Sequence, residues 1–457
     1  MSTYEFSQGY PSDEAARAAL DDATYQRAVT AYRFWYPTVS NEGIFNGNRQ
    51  VGIEDSVAIG YVAAGPEQVG FTLNSDTPYA AGCLDLSDGP MAIELPPGAF
   101  IGLVDDHHQG WILDMGIPGP DAGKGGTHVI LPPGYEGEEP AGAFVGRSRS
   151  FKVLIALRAL PIGGDLPKAM AALASVKVYR LGQEGSPARF VDTTGVELES
   201  TCLAWEDNLE FWRVLHKVLE EEPLVEEFRP MHGMLTDLGI GKGQEFAPDA
   251  RMTAILERAA RDGRDQMLVS AFASDRPDRI AWPGRGWEWV GLVPGSAQFE
   301  TPTGLDLEAR DRWFAQAIVT SPAMFRREEG AGSLYWLAAR DGSGAYLDGG
   351  RGYKLAVPTP VPGKLFWSLT IYDAQTRSQV KTAQNKAALR SLFELKGVEA
   401  EGGEVELFVG PEAPAGAEDR WIQTTPGRGW FAYVRIYGPE GPAFDGTWKL
   451  TDFVALD

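Results

Sequence analysis

The sequence predicts a mainly β fold with an N-terminal helix and a helical insert, on three observations. From about Val51 to Leu181, β-prone runs (VGFTL, MAIELP, FIGLVD, THVILP, FKVLIALRAL) alternate with turns such as SDGP and PPG, which is the texture of a sandwich or barrel. From about 205 to 328 the pattern turns amphipathic and helical, in NLEFWRVLHKVLEEE, DARMTAILERAARDGRDQMLVSAFAS and LEARDRWFAQAIVTSPAMFRREE. Beyond Gly332 the β texture returns in SLYWLAA, KLFWSLTIYD, VELFVG and RGWFAYVRIYG. Strands, then helices, then strands indicate two β domains with a helical segment between them. The expected division is 1–40, 41–200, 201–330 and 331–457.

The first element follows from Ser12, which can accept from free N–H groups, and from Asp13 and Glu14, which suit the positive end of a helix dipole. Leu20, Tyr25, Val29, Tyr32 and Trp35/Tyr36 form one apolar stripe, and Pro37 is expected to stop the helix. The pentapeptide PGRGW occurs at 283–287 and 426–430, and a Gly-rich turn feeding an aromatic segment accounts for both.

The totals exclude several classes. A chain of 457 residues can hold two to four domains, each with its own core. A formal charge of −22 argues against nucleic acid, which is held by clustered Lys and Arg. No apolar run approaches the roughly 18 residues of a membrane span. MSTYEFSQGYPSDEAARAAL has neither the basic nor the apolar region of a secretory signal, so no membrane partner and a cytoplasmic location are expected. Cys83 and Cys202 are the only cysteines and show no CxxC spacing, which disfavours a disulfide framework or a zinc–thiolate site. There is no GxGxxG after a strand, no P-loop, no HExxH and no GxSxG elbow, so no cofactor is expected.

Chemistry concentrates in VDDHHQGWILDMGIPGPDAGKGGTHVILPPG, Val104–Gly134, which holds three of the five histidines. If Leu103–Met115 is one strand, Asp106, His108 and Asp114 share a face with Val104 and Ile112. Asp105, His107, Gln109 and Trp111 share the other. THVILPP could return antiparallel and bring His128 alongside. Three readings stay open: a metal site from His108, Asp106 and His128; general acid/base work by Asp106 and His108; or a hydrogen-bonded cluster that orients a loop. A second constellation, Asn74-Ser75-Asp76-Thr77-Pro78-Tyr79, either fixes irregular turns or offers an amide, a carboxylate and a phenol to a pocket. A third is aromatic. In Phe366–Asp373, Phe366, Ser368 and Thr370 should face away from Trp367, Leu369 and Ile371. Arg435, embedded in an apolar strand, needs a carboxylate such as Asp373, or a ligand.

NSDTPY, LDLSDGPMAIELPPG, Asp106–Gly116 and ILPPGYEG resemble the bacterial family carrying the domain of unknown function numbered 1254. FWSLTIYD, WIQTTPGRGWFAYVRIYGP and GTWK are similar to its companion domain, numbered 1214. With DLGIGKGQEF, the resemblance covers almost the whole chain. It implies an immunoglobulin-like β-sandwich, a small helical domain and a C-terminal jelly-roll-like β-sandwich. It carries over Asn74, Asp76, Tyr79 and Asp106 in the first domain, and Trp367, Tyr372, Arg435, Tyr437 and Trp448 in the last. Many members begin with an export signal that this chain lacks, and His107-His108 lies outside the general pattern.

These readings lead to an expected soluble enzyme, a hydrolase or lyase, acting on a small apolar or aromatic molecule in an interdomain pocket. Asp106, His108 and Tyr79 would be catalytic, and Asn74, Asp76, His107, Trp111, Trp367, Tyr372 and Arg435 would bind substrate. A non-catalytic binding or assembly protein and a His/Asp metalloenzyme are the alternatives. Association into a homo-oligomer is left open.

Overall fold

The computed structural model describes residues 4–330, 332–398 and 403–456. The fold is mainly β and multi-domain, with two sandwiches flanking a helical unit. Its N-terminal helix is longer than expected, Asp13–Gln50. Ser12 caps it as predicted, accepting from the Ala15 N–H at 3.2 Å, but Pro37 does not end it. Proline lacks the N–H that would bond the Arg33 carbonyl. Arg310, far along the chain, donates to the Arg33 and Phe34 carbonyls at 3.4 and 2.8 Å instead. Past Pro37 the helix is buried nearly all round, because it runs between the helical unit and the first sandwich. Ile44 and Phe45 pack on Cys83 and Leu154 of that sandwich. The expected boundary at 40/41 therefore falls inside one continuous element.

The first sandwich has a six-stranded sheet in the order Arg189–Asp192, Ala58–Val62, Tyr79–Asp85, Lys152–Ala159, Phe100–Asp106, Trp111–Gly116. A four-stranded sheet, in the order Phe144–Arg147, Gly126–Leu131, Met91–Leu95, Lys177–Arg180, covers one face. Strand alternation sorts the residues. Ala80, Leu84, Val104, Ile155 and Leu157 point into the core with Ile93 and Ile130, while Tyr79, Ala81, Leu103, Ala156 and Arg158 point the other way, toward the rest of the molecule.

The C-terminal sandwich pairs a five-stranded sheet (Glu288–Trp289, Ser333–Ala338, Trp430–Pro439, Gly363–Asp373, Ala388–Arg390) with a four-stranded one (Trp421–Gln423, Gly403–Gly410, Tyr353–Thr359, Val454–Ala455). Trp367, Leu369, Ile371, Val434 and Ile436 fill its core with Leu355 and Leu407, as the predicted alternation requires. The outer face of the five-stranded sheet carries Ser368, Thr370, Tyr433, Arg435 and Tyr437 and looks toward the outer face of the first sandwich's six-stranded sheet.

Helices Leu209–Glu221, Ala250–Phe272 and Leu307–Phe314 fall within the amphipathic patterns, and Arg229–Asp237 is a further helix between them. They share one core with the N-terminal helix, through Tyr32, Trp35, Phe211, Trp212 and Leu256. Among the described residues no helix is long and apolar enough to cross a membrane.

Candidate functional site

The two outward sheet faces and the 313–326 segment enclose a cavity of about 390 Å³, within the range of roughly 300–1,000 Å³ usual for small-molecule sites. Cross-strand register builds its first wall: Tyr79, Arg158 and Ile101 form one row across three strands, and Ala81, Ala156, Leu103 and Asp114 the next. The facing wall is Ser333, Tyr335, Tyr433, Arg435 and Tyr437. Trp313, Ala317, Ile318 and Met324 close one side. Most of the lining is apolar; one group of polar side chains lies where the two sandwiches meet, and Asn48, Gln68, Asp114 and Arg326 line it elsewhere.

That junction is made by Thr72–Tyr79, which straps across the C-terminal sheet. Asn74 Oδ1 accepts from the Asp76 N–H at 3.0 Å, an Asx turn that sets Asp76 toward the sheet. Asp76 Oδ2 accepts from Ser368 Oγ at 2.8 Å and from the Tyr437 hydroxyl at 2.9 Å. Tyr372 donates to the Thr72 carbonyl at 3.0 Å. Arg435 donates to that carbonyl at 3.2 Å, to the Tyr372 oxygen at 2.9 Å and to Thr370 at 3.2 Å. Arg158 donates to Thr77 Oγ1 at 2.9 Å and to the Tyr437 oxygen at 2.8 Å. Its guanidinium also lies 5.3 Å from the Tyr79 ring and 5.5 Å from that of Tyr437. The N-x-D-T-x-Y segment of the first domain and the W-S-L-T-x-Y-D and R-x-Y segments of the last thus form one cluster.

Of the expected site residues, Asn74, Tyr79 and Arg435 line the cavity, and Asp76 and Tyr372 stand behind them holding the wall. Trp367 is buried in the C-terminal core, on the opposite face of its strand. Asp373, the suggested partner of Arg435, is paired with Arg428 at 2.7 Å.

The hairpin stretch corrects the strand reading. Leu103–Met115 is two strands, Phe100–Asp106 and Trp111–Gly116, with a turn at Gln109, whose φ is +56°. Alternation restarts after the turn, so Asp114 shares the cavity face with Leu103 rather than a face with Asp106. Asp106 clamps the turn instead. Its Oδ1 accepts from the His108 and Gly110 N–H groups at 2.9 and 2.8 Å, and its Oδ2 pairs with Arg149 at 2.6 Å. A Cβ at Gly110 would strike the Arg149 and Asp106 side chains. His108 lies away from the cavity lining, with Nδ1 2.9 Å from Thr38 Oγ1 and the Trp35 and Phe228 rings around it. Burial pulls its imidazole down to about 4, so it is neutral at pH 7. His107 is buried between Glu222, at 3.0 Å, and Glu42, at 3.6 Å, and does not reach the cavity. Trp111 is 36% exposed and bonds Asp114. His128 sits in the other sheet beside Asp121 at 3.3 Å, so the suggested metal trio is not brought together. Among the described residues no three or more His, Cys, Asp or Glu side chains are grouped as metal ligands.

Arg158, Tyr335, Tyr433 and Asp114 complete the cavity and were not singled out from sequence as site residues. Arg158 hid in FKVLIALRAL, which reads as a core strand; only its position opposite Tyr79 gives it away. Burial pushes the Asp114 carboxyl above the usual carboxylate range, against hydrogen bonds from Ser321 and Trp111 that pull it down.

Two sandwiches joined through helices, with a cavity at their junction, define the class. Residues 58–180 match the family described as "Protein of unknown function (DUF1254)", and 332–441 match "Protein of unknown function (DUF1214)". The chain belongs to the family that joins the two in this order. No curated protein matches. The chain is similar in fold to the VPA0106 protein from Vibrio parahaemolyticus, with a TM-score of 0.59 and 15% identity over 95% of this chain and 100% of that one. An uncharacterised protein from Burkholderia cenocepacia aligns with a TM-score of 0.43 and 13% identity, over 96% of this chain and 97% of that one.

Proposed function

We propose that the protein binds a small, largely apolar molecule in the cavity between its two sandwiches. The observation that carries this is a largely apolar cavity with a few hydrogen-bonding and charged groups on its walls, the arrangement that gives a small ligand both affinity and orientation. Nile red, a neutral dye, should bind saturably to the wild type. Ala156→Trp, which places an indole in the middle of the wall, should abolish that binding while the melting temperature stays within a few degrees. Equal dye binding by the two proteins would refute the proposal.

A second reading, turnover of the bound molecule, is favoured by Asp114. Its carboxyl lines the cavity and burial raises its pKa above the usual carboxylate value, the direction that favours acid/base work. Hydrolysis or elimination is the chemistry that a lone carboxyl supports, so the expected acid/base role moves here from Asp106 and His108. Asp114→Asn should keep dye binding and lose turnover; a fully active variant would remove the catalytic reading. We place this work in the cytoplasm, which the two free, buried thiols of Cys83 and Cys202 fit.

A further inference from the structure

We propose that the sandwich-junction end of the cavity is a carboxylate site, so that the molecule taken is a monocarboxylic acid with an apolar chain or ring. This rests on the cavity being a binding site, as proposed above. Three guanidinium groups line it: Arg326 acts by its charge on Asp114, and Arg158 and Arg435 stand where the two sandwiches meet; arginine stays protonated throughout the physiological range. The hydrogen bonds of the last two all go to neutral acceptors: Thr77 and Tyr437 for Arg158; Thr370, Tyr372 and the Thr72 carbonyl for Arg435. The acid in the cluster, Asp76, is held by Ser368 and Tyr437. Burial pushes the phenols of Tyr79, Tyr372, Tyr433 and Tyr437 further up, so at neutral pH they add no negative charge. At the sandwich junction, therefore, Arg158 and Arg435 outnumber the one carboxylate, Asp76, and no carboxylate bonds either of them directly. An unbalanced buried cation is costly, and an anionic guest removes the imbalance.

Other buried arginines show what balance looks like in this fold. Arg377 donates to both carboxylate oxygens of Glu206, at 2.9 and 2.7 Å. Arg312 donates to Glu288 at 2.7 Å. Arg435 is 2% exposed and, unlike them, donates to no carboxylate.

The rest of the cavity limits the guest. From the arginines the lining runs to Ile101, Leu103, Leu154 and Ile318, which suits a hydrocarbon body. Asp114 stands two strands from Arg158 in the same sheet, on the order of 10 Å away. Its charge is already met there by Arg326, and the overall charge of −22 disfavours polyanions. One carboxylate and an apolar tail fit both ends.

The test compares decanoate with decan-1-ol, the same chain without the charge, as competitors of Nile red at pH 7.5. Decanoate should displace the dye from the wild type at least tenfold more tightly. Arg435→Met and, independently, Arg158→Met should bring decanoate to the level of the alcohol. Equal affinities in the wild type would overturn the carboxylate assignment while the pocket stands, which is also the result if chloride alone balances the arginines. Displacement of bound dye by neither compound would overturn the pocket reading and this one with it. A preference for decanoate that survives in both folded variants would place the carboxylate elsewhere and refute the assignment.

Discussion

Two buried polar clusters lie at opposite ends of the same six-stranded sheet, and they differ in whether their charges are balanced. At the hairpin end, His107 is set between Glu222 and Glu42, and Glu42 also takes Arg49 at 2.9 Å and Lys217 at 3.1 Å. Glu222 further accepts from the Phe151 and Lys152 N–H groups at 2.5 and 3.0 Å, and Asp106 has Arg149. Every one of these charges meets an opposite one. At the cavity end, Arg158 and Arg435 meet neutral oxygens and tyrosine faces. A cluster whose ions are paired and that borders no cavity works as a joint. Arginines without a carboxylate partner beside a cavity are where a guest gains most. The difference separates the cluster that looked catalytic in sequence from the one that is placed to bind.

The comparison breaks first at the joint. Glu222→Ala would strip His107 of its main partner and leave the Phe151 and Lys152 amides without theirs, a loss of about 3–5 kcal/mol for a broken buried pair, measurable by urea denaturation. A loss under about 1 kcal/mol would mean that the joint is no tighter than the cavity end. Arg435→Met should cost less, under about 2 kcal/mol, because lost hydrogen bonds are offset by removal of an unbalanced charge.

Titration of the joint sharpens the contrast. Burial alone would lower the His107 imidazole, but its contact with Glu222 and the charge of Glu42 outweigh burial and raise it above 6.5. The same contacts, against burial, hold Glu42 and Glu222 below 4.5. A raised histidine contributes stability that is fully present below its unfolded value and lost as pH rises through the folded one. A depressed glutamate contributes stability that is present above its unfolded value and lost as pH falls through the folded one. The stability difference between wild type and Glu222→Ala should therefore be largest between pH ~4.5 and ~6.5 and shrink by about 1 kcal/mol or more on either side. A difference flat from pH 3 to 9 would show that the joint is not ionic. The smallest effect is expected at Trp111, 36% exposed and outside the cavity lining. Trp111→Ala should change stability by roughly 0.5 kcal/mol or less and leave dye binding intact; loss of binding would shift the site toward the hairpin.

Much of the fold was legible because periodicity is a local property. The alternation in Phe366–Asp373 and the amphipathic runs at 209–221 and 250–272 report their faces directly. The failures share one cause: the deciding partner lies far away in sequence. Pro37 stays helical because Arg310 covers the freed carbonyl. The turn after Asp106 has a non-glycine residue at positive φ, held by docking, since Gln109 donates to the Pro37 carbonyl at 2.9 Å and accepts from the Val319 N–H at 2.6 Å. Missing that turn reversed the faces and turned attention to Asp106 and His108. Asn74, Tyr79 and Arg435 were found because an amide, a phenol and a lone arginine in apolar strands need explanation wherever they fall. Arg158 needed the register with Tyr79, which no single strand reveals.

The most direct test is a crystal of the protein soaked with 10-bromodecanoate and measured at the bromine absorption edge. Binding as inferred puts the carboxylate against Arg435 and Arg158, with the bromine peak between Leu103, Ile318 and Asp114. A peak outside the cavity, or a fully occupied ligand with its carboxylate turned away from both arginines, would contradict it.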